Sequence, residues 1–171
     1  MDLNSAITQS CDVYFYDLSY RLGIDKMSAF LDKFGFGKKT DIDSTGEANG
    51  LLPSREWKRK TLSQPWFPGE TLNTGIGQGT FLVTPLQLAN STGALALNGL
   101  RYRPHLVSTL EDGYSGNKLD IPPEQVAESG VSKKSNWLQT HEALVSVVHG
   151  FRGTANTINR GLKYKIAGKT G

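Results

Sequence analysis

Apolar residues recur at helical spacing over most of the chain. From Ser5 to Leu22 the pattern reads as helix broken near Ser10, with Phe15, Leu18 and Leu22 in one stripe and Val13, Tyr16 and Tyr20 widening it. Ser10 is placed to cap the second part and Gly23 to stop it. A further helix over about 25–34 sets Met27, Phe30, Leu31 and Phe34 on one face and ends at Gly35. The pattern then weakens until Gly79, through a Gly- and Pro-rich stretch in which Ser54-Arg55-Glu56-Trp57 opens a helical turn. Trp57, Trp66 and Phe67 can staple this stretch to a surface or form a ligand platform. Thr84-Pro85-Leu86-Gln87 is a capping box with proline at its preferred position, predicting a helix to Leu97 that buries Leu88, Ala89, Thr92, Leu95 and Ala96. Arg101–Leu110 reads as strand, Asp112-Gly113 as turn, 114–132 as loop and 134–149 as helix. Tyr164–Ala167 alternates and reads as a strand running into Gly168-Lys169-Thr170-Gly171. The predicted class is α+β, mainly helical with a few strands.

Composition narrows the function classes. At 171 residues, 37% apolar and 20% charged, the chain can bury one sizeable core. Nineteen basic against 16 acidic residues give a net charge of +3, too mild a bias to imply a nucleic-acid partner. A lone cysteine, Cys11, excludes an internal disulfide framework and a cysteine-clustered zinc site. No apolar run is long enough to span a membrane, and Met1–Asn4 does not open a secretory leader. Helical pattern begins directly after Met1 and the chain stops just past its last predicted strand, so the expectation is a segment of a larger domain.

Few residues stand in patterns that carry chemistry. Gly168-Lys169-Thr170 lacks the earlier glycine and the following helix of a phosphate-binding loop, and Gly75, Gly77 and Gly79 do not have dinucleotide-fingerprint spacing. His105, His141 and His149 show no metal spacing, and His141 reads as a partly buried structural residue. Glu56, Glu70 and Glu142 are scattered and support no paired-carboxylate mechanism. Two polar clusters remain. Ser10-Cys11-Asp12 joins a hydroxyl and a carboxylate at a helix break, and Lys169-Thr170-Gly171 joins a cation, a hydroxyl and a residue permitting close approach. Each is compatible with an ordinary helix cap or strand end.

In order, these clusters resemble the second and third elements of the serine penicillin-interacting enzymes, Ser-Asp-Asn and Lys-Thr-Gly, with Asp12 where asparagine is commonest. The segments SCDVYFYDLSYRLGIDKM, PSREWKRKTLSQPWFPGETLNTGIGQGTFLVTPLQLA and GLKYKIAGKTG are similar to the elongation-specific class B penicillin-binding proteins. The resemblance implies a partial transpeptidase domain of the penicillin-binding protein/β-lactamase-like fold over 1–171. It further implies D,D-transpeptidation of peptidoglycan stem peptides through an acyl-serine, inhibition by β-lactams, and no cofactor. The expected setting is the bacterial inner membrane with a periplasmic catalytic domain, and the expected partners are membrane proteins of the elongation machinery. By the same resemblance Ser10 is a proton shuttle, Asp12 orients substrate and a catalytic lysine, and Lys169 shapes the electrostatics. Thr170 meets the substrate or β-lactam carboxylate, Gly171 is the close-approach position, and Thr74–Gly79 is a buttress beside the site.

The departure is the first element, Ser-x-x-Lys, which carries the nucleophile. Its only match here is Ser115-Gly116-Asn117-Lys118, out of order and in a Gly-containing turn. The chain is therefore expected to be inactive alone. A catalytically inert interaction module and a β-lactamase-related hydrolase are the alternatives to a transpeptidase.

Overall fold

The computed structural model describes residues 1–171. Its helices are α1 (Leu3–Thr8), α2 (Asp12–Lys33), α3 (Arg55–Leu62), α4 (Pro68–Gly75), α5 (Pro85–Ala96) and α6 (Lys134–His149). Four short strands, β1 (Leu100–Tyr102), β2 (Thr109–Glu111), β3 (Lys118–Asp120) and β4 (Gln125–Glu128), lie between α5 and α6, and a 3-10 turn covers Asn156–Asn159. Contacts divide the chain into two compact units: Met1–Gly23 with Trp66–Gly79 and Val131–Gly171, and Ile24–Pro65 with Thr80–Gly130.

The first unit is built around α6. Trp137, Ala143, Val147 and Val148 are buried on its inner face, and α1 packs against it with Ala6 fully buried. Trp66 is also buried, its indole N–H donating to Thr71 Oγ1 at 2.8 Å, so it serves packing. Gly75, at the end of α4, lies so close to Ser19 of α2 that a methyl there would collide with that side chain. The stripe expected on α2 is not the buried one. Val13 and Tyr20 are exposed and Leu18 and Leu22 partly so, while the small Ser19 is buried because α4 needs close approach there.

In the second unit, α2 continues past a break at Gly23, whose φ of 75° is open to glycine without strain. Ile24 is buried on this part of α2, and Phe34 is buried just past its end. The capping box at Thr84 forms as predicted: Thr84 Oγ1 accepts from the Gln87 N–H at 3.1 Å, and Gln87 Oε1 accepts from the Thr84 N–H at 3.0 Å. The buried face of α5 differs from the predicted one. Gln87, Ser91 and Ala94 face inward, whereas Leu88 is 58% exposed. Polarity was the misleading signal, because the Gln87 amide also donates to the carbonyls of Lys38 and Asn49 at 2.7 and 2.8 Å, so every polar atom of its side chain is satisfied in the interior.

The stretch 35–79 holds α3, capped by Ser54 as its sequence implied, and also α4, which the Pro/Gly content concealed. The predicted strand 101–110 is interrupted at Arg103–Ser108, and the expected loop 114–132 contains β3 and β4. Strand β1 pairs antiparallel with β4, and β2 with β3 in a hairpin that sets Leu110 opposite Leu119. The Asp112 carboxylate organises that hairpin's turn, accepting from the Tyr114 and Ser115 N–H groups.

The C-terminal segment corrects another expectation: Tyr164–Ala167 is not a strand. Its backbone donors go to α6 instead of a ladder. The Ile166 N–H reaches His149 Nε2 at 3.0 Å and the Gly168 N–H reaches the Leu144 carbonyl at 3.1 Å. No helix is long and apolar enough to cross a membrane.

Candidate active site

Ser10 occupies the break between α1 and α2, but not as a helix N-cap. It has φ 52°, in the left-handed region, one position past the C-cap of α1. Its N–H donates to the Ile7 carbonyl at 3.2 Å, and the next N–H, of Cys11, donates to the Ala6 carbonyl at 2.9 Å. Those paired bonds are the left-handed C-cap in which glycine is usual. Serine there costs backbone strain, and such strain concentrates where a side chain must be aimed. The Ser10 hydroxyl accepts from Lys169 Nζ at 2.6 Å, joining residues 159 positions apart.

Lys169 is delivered by the anchored segment on α6. His149 and Leu144 hold the N–H groups of Ile166 and Gly168, which fixes the backbone entering Lys169. Its ammonium also donates to the Thr170 carbonyl at 2.7 Å. Burial of the ammonium lowers the Lys169 pKa below its ordinary value, and the Asp12 carboxylate partly opposes that shift. Asp12 is the first residue of α2, where its negative charge also suits the helix dipole.

Thr170 follows with its hydroxyl 2.7 Å from the hydroxyl of Thr154. Gly171 has open space where a side chain would project. Ser10, Asp12, Lys169 and Thr170 are thus assembled from the two chain ends of one unit. Within 74–79, Gly75 contacts α2 through Ser19, two turns beyond Asp12.

Two contributors escaped the sequence reading. Thr154 lies in an irregular loop with no periodicity, and the sequence around His149 carries no signal for its role, in which its ring nitrogen accepts from the chain leading to Lys169. The Ser115/Lys118 pattern does not form a catalytic pair. Ser115 Oγ donates to Asp112 at 2.9 Å, and Lys118 pairs with Glu111 at 3.4 Å across the hairpin.

The family profile described as Penicillin binding protein transpeptidase domain matches residues 1–171. The peptidoglycan D,D-transpeptidase MrdA of Acinetobacter baumannii is 38% identical over 171 residues, covering 100% of this chain and 25% of that protein. MrdA of Haemophilus influenzae is 38% identical over 170 residues, covering 99% and 26%. The chain therefore spans about a quarter of the length of these curated relatives. Among solved structures, Pseudomonas aeruginosa PBP2 in complex with WCK 5153 superposes with a TM-score of 0.86 at 47% identity, over 100% of this chain and 38% of that one. Helicobacter pylori PBP2, solved in complex with MreC, gives 0.84 at 35% identity, over 100% and 30%. With its two polar clusters in place and its whole length matched, the chain belongs to the penicillin binding protein transpeptidase domain family.

Proposed function

We propose that residues 1–171 are part of a serine D,D-transpeptidase that cross-links peptidoglycan stem peptides, and that the acylated serine belongs to a Ser-x-x-Lys element outside these residues. The observation that carries this reading is the 2.6 Å bond from Lys169 Nζ to Ser10 Oγ. A hydroxyl held by an ammonium whose pKa is lowered by burial is suited to relay protons, and a cation beside it stabilises developing negative charge.

In the reaction, the nucleophilic serine oxygen bonds to the penultimate D-Ala carbonyl carbon. The bond to the terminal D-Ala nitrogen breaks, and the serine proton is delivered to that leaving amine. An amine of a neighbouring stem peptide then attacks the acyl ester, forms the cross-linking amide and returns a proton to the serine oxygen. Ser10 relays these protons, Asp12 and Lys169 set the local field, and Thr170 binds the donor carboxylate beside Gly171. The reading places the whole protein at the bacterial inner membrane with this domain in the periplasm. Its partner there is an elongation-machinery membrane protein of the MreC kind, as in the Helicobacter pylori complex.

Intact-mass measurement after incubation with benzylpenicillin tests the reading. The whole protein gains one penicilloyl group on a serine outside 1–171, and the 171-residue chain gains none. An adduct on Ser10 or Ser115, or none on the whole protein, overturns it.

A further inference from the structure

Thr154 is held unusually firmly for a residue in an irregular loop. The Gly153 N–H donates to the Gly150 carbonyl at 2.9 Å, the Thr154 N–H to the Thr8 carbonyl at 3.3 Å and the Ala155 N–H to the Val147 carbonyl at 3.0 Å. Gly153 lies against the end of α6 so closely that a methyl there would collide with the Ser146 and Val147 carbonyls. The backbone is thus tied to both α1 and α6, the two helices that also position Ser10 and the segment before Lys169. From this footing Thr154 presents one polar group, its hydroxyl, to the hydroxyl of Thr170 at 2.7 Å.

A pair of hydroxyls at that distance shares one proton, and either can donate. If Thr170 donates to Thr154, no proton remains on Thr170 for an incoming group. If Thr154 donates, the single O–H of Thr170 is free. A carboxylate accepts only, so its arrival selects the second arrangement, and the bond from Thr154 then polarises the Thr170 hydroxyl toward the ligand.

We propose that Thr154 is a positioning residue for carboxylate-bearing acyl donors: it donates to Thr170 Oγ1 and so aims the Thr170 proton at the ligand carboxylate. The inference rests on the transpeptidase reading and deepens it by naming what fixes donor recognition. The carboxylate contact exists before and during acylation, so its loss weakens binding more than it slows the bound complex.

The test uses the whole protein and two probes, benzylpenicillin and its methyl ester, which lacks the carboxylate. Thr154→Val preserves the branched shape and removes the hydroxyl. Loss of one such hydrogen bond lowers the second-order acylation rate by benzylpenicillin about three- to tenfold. The change lies in the half-saturating concentration, with the limiting rate nearly unchanged. The acid-to-ester rate ratio, taken within one preparation, cancels any loss of folded protein. It falls in Thr154→Val, returns in Thr154→Ser, and shows no further fall when Thr154→Val is added to Thr170→Val. An unchanged ratio in Thr154→Val, or independent losses in the double variant, overturns the inference while leaving the transpeptidase reading intact. Failure of the unmodified protein to be acylated by either probe overturns that reading, and this inference with it.

Discussion

At the residue scale, the site depends on two side chains held in costly settings. Ser10 takes a left-handed conformation at a helix end where glycine is the unstrained choice. Ser10→Gly and Ser10→Ala both remove the hydroxyl, but only the glycine variant relieves the backbone. We expect Ser10→Gly to be more stable than Ser10→Ala by about 1 kcal/mol, with both defective in acylation, as read by denaturant melts and chromogenic β-lactam kinetics on the whole protein. Equal stability would remove the strain argument. Lys169 carries the second cost, since burial lowers its pKa and Asp12 pushes it back up. Asp12→Asn removes the upward push alone, so the Lys169 titration midpoint moves to still lower pH. Carbon-13 chemical shifts of labelled lysine followed across pH measure it, and an unmoved or raised midpoint contradicts the assignment. The left-handed cap could not be read from the sequence. The same Ser10 that caps α1 from behind also sits just ahead of α2, and serine is far commoner as an N-cap than in a left-handed C-cap.

At the scale of elements, what was legible is what local chemistry decides. The capping box at Thr84, the Ser54 cap of α3 and the full extent of α6 follow from residues within one or two turns. The elements that needed distant partners were misread. The inward face of α5 turns on Gln87, whose partners Lys38 and Asn49 lie far back in the sequence, so a polarity pattern points the wrong way. The alternation at Tyr164–Ala167 is compatible with a strand, but its donors reach α6. This contrast sets a ranking of substitutions. Thr84→Ala loses one cap acceptor and is expected to cost about 1 kcal/mol. Gln87→Leu removes a fully buried amide and takes their shared partner from the Thr84 N–H and the Lys38 and Asn49 carbonyls, and is expected to cost about 3 kcal/mol or more. Chemical denaturation of the two variants checks the order, and a smaller loss for Gln87→Leu would show that its network contributes little.

For the molecule as a whole, the two polar clusters were visible as short words in the sequence, whereas their meeting was not. Periodicity says nothing about a contact across 159 positions; only the resemblance in segment order anticipated it, and the fold supplies it by tying the approach to Lys169 onto α6 while α1 packs on the same helix. The central claim is that Ser10 and Lys169 act as one unit, the hydroxyl relaying protons and the ammonium holding it and setting its field. A double-substitution cycle on β-lactam acylation of the whole protein, with Ser10→Ala, Lys169→Met and both together, tests it most directly. We expect each single change to slow acylation at least about tenfold, equivalent to about 1.4 kcal/mol of barrier, and the double variant to be no slower than the slower single one. Losses that multiply in a correctly folded double variant would show two independent groups and contradict the account.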